Sequence, residues 1–498
     1  MEFKKSKKKF LTLKEVLYTF ILILFSFLES DGISAKVSLP NVLTSNMVLQ
    51  QNKPVAIWGK ALPGERVVVE FAGQRKNCQA SFDGTWLVHL NPMKASFEKR
   101  DMIIKGEENT LRLENILVGE VWLCSGQSNM EYPMDCELYK YAAPLRGNDL
   151  AKKELNESEA TNLRLFLVEK KYGLEDCQTK GWQEVGTPST AFFSAVAYFM
   201  GKTLQQALQV PVGIIASSWG GSRIESWISN DSYMKSSFSQ VERKNRPDEK
   251  RTVALYYDTM IKSLAPYTLR GFAWYQGESD AFAHDSLYVE KFKTLLDNWR
   301  TIFRNKKLPM YYVQIAPYYY TYYNCDEYVK PWFADMQTEC MKFKHTGQVV
   351  VTDLVDNVGD IHPPYKWEVG RRLALWALTK DYNMNSVGYH SPYLKHAKIK
   401  GNKIILSFHL AGSQLVSGTR DAKDNSFKVT NEKLTWFEVA GNDGRFQPVE
   451  ATVENNKVIL DISKIYVPIA IRFGWHEKAV PNLFNMEGLP ATPFKLEL

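Results

Sequence analysis

The sequence predicts an α/β centre, built on a mostly parallel sheet with helices on both faces, set between two all-β regions. Three observations carry this. Between residues 116 and 382, near-continuous apolar strands alternate with stretches of helical periodicity, the pattern of a parallel sheet covered on both sides. Residues 37–115 show short strands parted by turn dipeptides instead. After about residue 383 that strand-and-turn rhythm returns. The chain has 498 residues, 45% of them hydrophobic and 23% charged, which suffices for a large core and excludes a disordered or fibrous polymer. At roughly 100–200 residues per domain, such a length predicts about two to four domains.

Residues 1–35 read as a secretory signal peptide. Lys4, Lys5, Lys7, Lys8 and Lys9 precede the apolar run Val16 to Leu28, and Ser34-Ala35 is a plausible cleavage point. That run of 13 is short for a membrane span, although a single anchoring helix is the competing reading. The expectation is an exported protein, periplasmic or extracellular, with no membrane contact once the leader is cleaved.

Residues 36–115 come next, expected as an N-terminal β-sandwich domain. Met47 to Leu49, Val55 to Trp58, Arg66 to Phe71 and Thr85 to Leu90 are separated by Pro63-Gly64, Ala72-Gly73 and Asp83-Gly84. The centre, 116–382, begins with the apolar strand Ile116 to Cys124. It continues through a helix at Ala195 to Leu208, strands at Val212 to Ser217 and Arg270 to Tyr275, and a helix near Ser286 to Phe303. A strand at Met310 to Ala316, a helix at Phe333 to Phe343, a strand at Val349 to Leu354 and an amphipathic helix at Trp367 to Thr379 complete it. Residues 131–188 are expected as an irregular insertion. From 383 to 498 a second β-domain is read, with strands such as Lys403 to Phe408, Lys457 to Asp461 and Ala470 to Trp475.

Charge and cysteines exclude several functions. The net charge is +7, and two of those charges sit in residues 1–35, leaving about +5 with no basic stripe, too thin for a nucleic-acid partner. None of the six cysteines lies in a C-x-x-C pair, and no His/Asp cluster has ligand spacing, so no metal or other cofactor is expected. Disulfides and buried free thiols are equally compatible with the spacing. Nothing in the sequence bears on oligomeric state.

Ligands of an open parallel sheet bind at the carboxyl ends of its strands, and four candidate stretches fall there. In Cys124-Ser125-Gly126-Gln127-Ser128-Asn129-Met130 a strand ends, a glycine turns the chain, and Ser128 is presented. The surrounding word is not G-x-S-x-G, so the nucleophile elbow of α/β-hydrolases is not matched. A serine nucleophile needs a base, and His362 lies on a strand-to-helix loop at the same edge. Asp360 is placed to accept the Nδ1 proton of His362. Ser217 to Arg223 brings the backbone N–H groups of Gly220 and Gly221, and Trp274 to Ser279 brings Gln276 and Glu278. Each stretch alone reads as an ordinary turn; their coincidence at one edge is the argument.

Together these stretches resemble the SGNH hydrolases, and within them the sialate O-acetylesterase family. The matching words are GQSNM at 126–130, SSWGGSRIESW at 217–227, WYQGESDA at 274–281 and DIHP at 360–363. The likeness runs from NMVLQQNKPVAIWG at 46–59 to NLFNMEGLPATPF at 482–494, nearly all of the chain beyond the leader. The resemblance implies the SGNH-hydrolase (flavodoxin-like) sheet. It makes Ser128 the nucleophile, His362 the general base, and Ser128, Gly221 (or Gly220) and Gln276 the oxyanion donors. Many SGNH enzymes carry the acid three residues before the histidine; here that position is Gly359. Asp360 therefore serves, or Asp356 or Asp353 reaches in, or a backbone carbonyl orients His362.

The resemblance implies a serine esterase that removes O-acetyl groups from carbohydrates through an acetyl-serine intermediate, with 9-O-acetyl sialic acid as the first substrate and acetylated xylan or another plant polysaccharide as the alternative. Arg223 is expected to meet a sugar carboxylate or to form a structural ion pair, Trp219 to contact the sugar, and Glu278 to orient neighbours or substrate. A non-catalytic glycan-binding protein is the reading from another class.

Overall fold

The computed structural model describes residues 36–157, 162–186, 188–241 and 252–498. The expected leader, 1–35, lies outside them. Seven strands form the central sheet: β1 Thr110–Gly126, β2 Leu163–Val168, β3 Thr179–Glu184, β4 Val212–Ser218, β5 Gly271–Tyr275, β6 Met310–Val313 and β7 Thr346–Val349. Their order is β7-β6-β5-β1-β4-β2-β3, all parallel except the edge strand β3, which runs antiparallel to β2.

Without β2 and β3 the order is β7-β6-β5-β1-β4, the flavodoxin-like sequence in which the first strand lies between the second and third. The strand order reverses around β1, so the crevice opens at its carboxyl end, where Gly126 leads into Ser128.

Two expectations are corrected here. The stretch 131–188 is not an irregular insertion throughout, because β2 and β3 extend the sheet beyond β4, with Phe166 opposite Ile215. The boundary expected at 115/116 falls inside one continuous strand of 17 residues. The first part of β1 alternates exposed and half-buried side chains and pairs with Ser96–Lys105; from Ile116 on it is buried throughout and enters the central sheet. One strand thus serves a half-wet sheet and then a fully covered one.

Helices cover both faces. α2 Ala195–Leu208 and α6 Lys366–Asp381 share one core, with Met200 and Leu204 packed in the same cluster as Leu373 and Ala377. α4 Tyr288–Ile302 and α5 Val329–Glu339 lie in the other, where Leu295, Trp299 and Phe333 join a core continuous with Val48, Ile57 and Val69 of the N-terminal strands. Ser194 caps α2 by accepting from the Ala197 N–H at 3.1 Å. The strand expected at Val349 to Leu354 ends at Val349, and the chain then runs as a loop to α6. The C-terminal region holds three antiparallel sheets around its own core of Ile404, Leu406, Leu460 and Phe473. All six cysteines are free thiols, with Cys124, Cys136, Cys177 and Cys340 buried. No helix among the described residues is long and apolar enough to cross a membrane.

Candidate active site

The four stretches meet at the carboxyl edge of β1, β4 and β5. β1 ends at Gly126, whose φ of 145° brings its backbone so close to β5 that a Cβ there would lie 2.1 Å from the Tyr275 carbonyl oxygen. Ser128, half-buried, opens the short helix α1 Ser128–Glu131. Its Oγ lies 2.9 Å from Nε2 of His362. The Tyr141 ring packs against the imidazole at a centroid distance of 4.5 Å.

Three aspartates competed for the Nδ1 side of His362, and their partners separate them. Asp353 is engaged by Arg372 at 2.7–2.8 Å and by Arg420 at 2.8 Å. Asp356 accepts from Tyr365 at 2.6 and 2.7 Å and from Arg146 at 2.7 Å. Asp360 Oδ1 lies 3.5 Å from His362 Nδ1 and accepts the His362 backbone N–H at 2.9 Å. Burial pushes the Asp360 carboxyl up, but hydrogen bonds and charge from His362, with Lys366 beyond, hold it below its ordinary value. It is therefore an anion at neutral pH.

The two expected glycines differ from each other, and the amide donor differs from expectation. Gly220 is the glycine beside the serine, since a Cβ there would lie 3.4 Å from Ser128 Cβ. A Cβ on Gly221, at φ 73°, would meet no atom within 4 Å. The Gly220 N–H donates to Glu131 Oε2 at 2.5 Å, and Lys170 holds the other carboxylate oxygen at 2.6 Å. Glu131 also lines a cavity of about 260 Å³ walled by Leu165, Leu167, Phe192, Phe193 and Ala216. Gln276 is buried, and its Nε2 donates to the Ser222 carbonyl at 3.0 Å and to Asp280. Both amide protons are thus engaged within the protein, so in this structure Gln276 braces the 219–222 loop and does not face an oxyanion.

Glu278 is also buried, accepting from Asn129 Nδ2 at 2.6 Å, and burial raises its carboxyl. It faces the interior, not a sugar. Arg223 pairs with Glu225 at 3.2 Å, Asp280 at 3.4 Å and Asp285 at 2.7 Å, the structural alternative of the two readings. Those acids gather ligand atoms within 4.8 Å of one another. Lys291 adds its ammonium at 2.5 Å from Asp285 and 3.4 Å from Glu225, so the protein's own cations hold the cluster. Trp219 is half-buried and stacks on Tyr256 at 4.5 Å. Asn129, Glu131, Tyr141 and Lys366 were not singled out by sequence; Asn129 and Glu131 lie in or beside the GQSNM word, a signal available but unused.

A serine at hydrogen-bond distance from a histidine, backed by a carboxylate and beside a glycine loop, is equipped for acyl transfer. Residues 118–378 match the family described as carbohydrate esterase, sialic acid-specific acetylesterase. The chain belongs to that family.

Sialate O-acetylesterases of mouse and human are 28% and 27% identical to it, over 95% and 94% of this chain and 96% and 93% of theirs. A carbohydrate acetylesterase from Xanthomonas citri superposes with a TM-score of 0.78 at 31% identity, covering 92% of this chain and 99% of that one. As a member of the family the protein is a carboxylic ester hydrolase that acts on O-acetylated carbohydrate.

Proposed function

We propose that the protein is a sialate O-acetylesterase in which Ser128 is the nucleophile, His362 the general base and Asp360 the residue that orients it. The observation that carries the proposal is the 2.9 Å contact between Ser128 Oγ and His362 Nε2. Ser128 Oγ attacks the acetyl carbonyl carbon while its proton passes to His362 Nε2. The tetrahedral intermediate collapses, the C–O bond to the sugar breaks, and the sugar oxygen takes that proton. Water then attacks the acetyl-serine, giving its proton to His362 and releasing acetate as Ser128 Oγ is reprotonated. The Ser128 N–H and a glycine N–H of the 219–221 loop receive the oxyanion. Gly220 fills that role only when Glu131 withdraws, whereas Gly221 can fill it with Glu131 in place as an anchor.

The basic, apolar and small residues at the start of the sequence support export to the periplasm or the extracellular space, with the leader removed. The sialate assignment draws on the relatives' activity; Trp219 and Tyr141 at the rim suit contact with a sugar face. Acetate release from 9-O-acetyl sialic acid and from acetylated xylan, by wild type and Ser128→Ala, is the test. Wild type is expected to release acetate from the sialic acid, and Ser128→Ala to lose about 10⁴-fold or more. Release from xylan alone would replace the substrate, and an unimpaired Ser128→Ala would end the catalytic assignment.

A further inference from the structure

We propose that Asn129 is a positioning residue, a buried strut that Lys366 and Glu278 hold in one orientation and that sets the placement of Ser128 against His362. The inference rests on the reading of Ser128 and His362 as nucleophile and base.

Three segments converge on this one side chain. Asn129 has no exposed surface. Its Nδ2 donates to Glu278 Oε1 of α3 Glu278–Phe282 at 2.6 Å and to the Ile361 carbonyl of the histidine loop at 3.0 Å. Its Oδ1 accepts from Lys366 Nζ, at the start of α6, at 2.5 Å. Asn129 is the next residue after Ser128, and Ile361 the one before His362. Each catalytic side chain is therefore one peptide away from an atom that this amide ties down.

The orientation has one solution. The Ile361 backbone carbonyl only accepts whatever the pH, so the amide must turn its NH₂ towards it and its oxygen towards Lys366. Flipping the amide would set its NH₂ against Nζ and its oxygen against the Ile361 oxygen, replacing attractions with repulsions. Lys366 is locked as well. It is buried, with Nζ 4.8 Å from the Tyr132 ring centroid and 5.3 Å from that of Tyr275. Burial lowers its amine to about 7, with Glu278 and Asp360 pulling the other way. Asn129, Glu278 and Lys366 are all buried, so they act on the reaction through other residues: Asn129 by position, and Lys366 also through its charge on Asp360.

Two variants read the strut in the full-length protein. Asn129→Asp keeps the side chain's shape and the contact with Lys366 but places oxygen against the Ile361 carbonyl. Lys366→Met keeps the chain length and removes the donor that fixes the amide. Each is assayed for kcat and KM with p-nitrophenyl acetate, and for the rate at which diethyl p-nitrophenyl phosphate modifies Ser128. An error of about 1 Å in placement costs about 10² in rate, so both kcat and the modification rate should fall about 100-fold while KM moves less than about threefold. Lys330→Met, which alters another buried lysine on α5, should change stability without changing either rate. A purely structural role for Asn129 predicts a lower melting temperature with rates at 25 °C near wild type. If Asn129→Asp or Lys366→Met, folded by circular dichroism, stays within about threefold in both rates, the strut is refuted. If the phosphate triester still modifies Ser128→Ala as fast as wild type, the nucleophile assignment fails instead.

Discussion

Replacing Asp360 with asparagine removes one charge from the site and little else. An asparagine Oδ1 can still accept the His362 backbone N–H that Asp360 now accepts at 2.9 Å. What disappears is the attraction between a carboxylate and the imidazolium that forms as Ser128 gives up its proton. At the observed 3.5 Å that attraction is about 1 kcal/mol in a water-like medium and about 5 kcal/mol at an effective dielectric of about 20. The side chains of Asp360 and His362 are 32% and 18% exposed, between those limits. An intermediate loss of about 3 kcal/mol corresponds to about 10² in rate. Initial rates of p-nitrophenyl acetate hydrolysis under saturating substrate measure it directly. A fully buried triad aspartate would be expected to cost nearer 10⁴. A variant within about threefold of wild type would refute the electrostatic role and leave His362 oriented by its backbone or by solvent. An Asp356→Asn variant slower than Asp360→Asn would move the role to Asp356, against the engagement of that carboxylate by Arg146 and Tyr365.

Three further outcomes follow from particular contacts. Lys330 is fully buried, burial holds its amine down to about 7, and its Nζ has no hydrogen-bond partner, so Lys330→Met should stabilise the protein by about 3 kcal/mol in thermal melts. Because the folded pKa is depressed in a base, that gain is complete below about pH 7 and fades as pH rises towards the ordinary lysine value of about 10.4. Burial alone would raise Glu368, but Arg372, Arg371 and Arg420 bring it to about 2, so its contribution is present above the ordinary carboxylate value of about 4.3 and is lost as pH falls through about 2. Arg420→Ala should therefore cost about 2 kcal/mol at neutral pH and start acid unfolding, followed by circular dichroism, at a higher pH; an unchanged acid limb would contradict this. Glu131→Ala should join the acyl side of Ser128 to the cavity of about 260 Å³ behind Glu131, raising the ratio of p-nitrophenyl butyrate to acetate hydrolysis about tenfold, and an unchanged ratio would separate that cavity from the acyl site.

Features with a local signature were legible in the sequence, and features defined by a distant partner were not. The helix Ala195–Leu208 was read at both ends because a 3.6-residue rhythm marks it within its own residues. The strand Leu163–Val168 was absorbed into an insertion because its identity depends on pairing with Val212–Ser218, which lies beyond β3 and α2 in the chain. The same division runs through the site. The four words located Ser128, His362, Gln276 and Glu278 at one edge, since strand ends and glycines are local. Where each polar group points is settled elsewhere: Asp356 was a candidate for His362 until Arg146, 210 residues away, was seen to engage it. Gln276 and Asn129 make the sharpest case. Both are buried amides beside the nucleophile, and residue type alone favours neither. The polar atoms of a buried amide usually find partners, so its role follows from which groups they find. Gln276 answers to Ser222 and Asp280 and so belongs to the glycine loop. Asn129 answers to residues 149, 232 and 237 positions away, on three separate segments, and one of those contacts lies beside the general base. A single-sequence reading can name the groups at such an edge, but the proton inventory of the folded site decides which of them face the substrate and which hold the others in place.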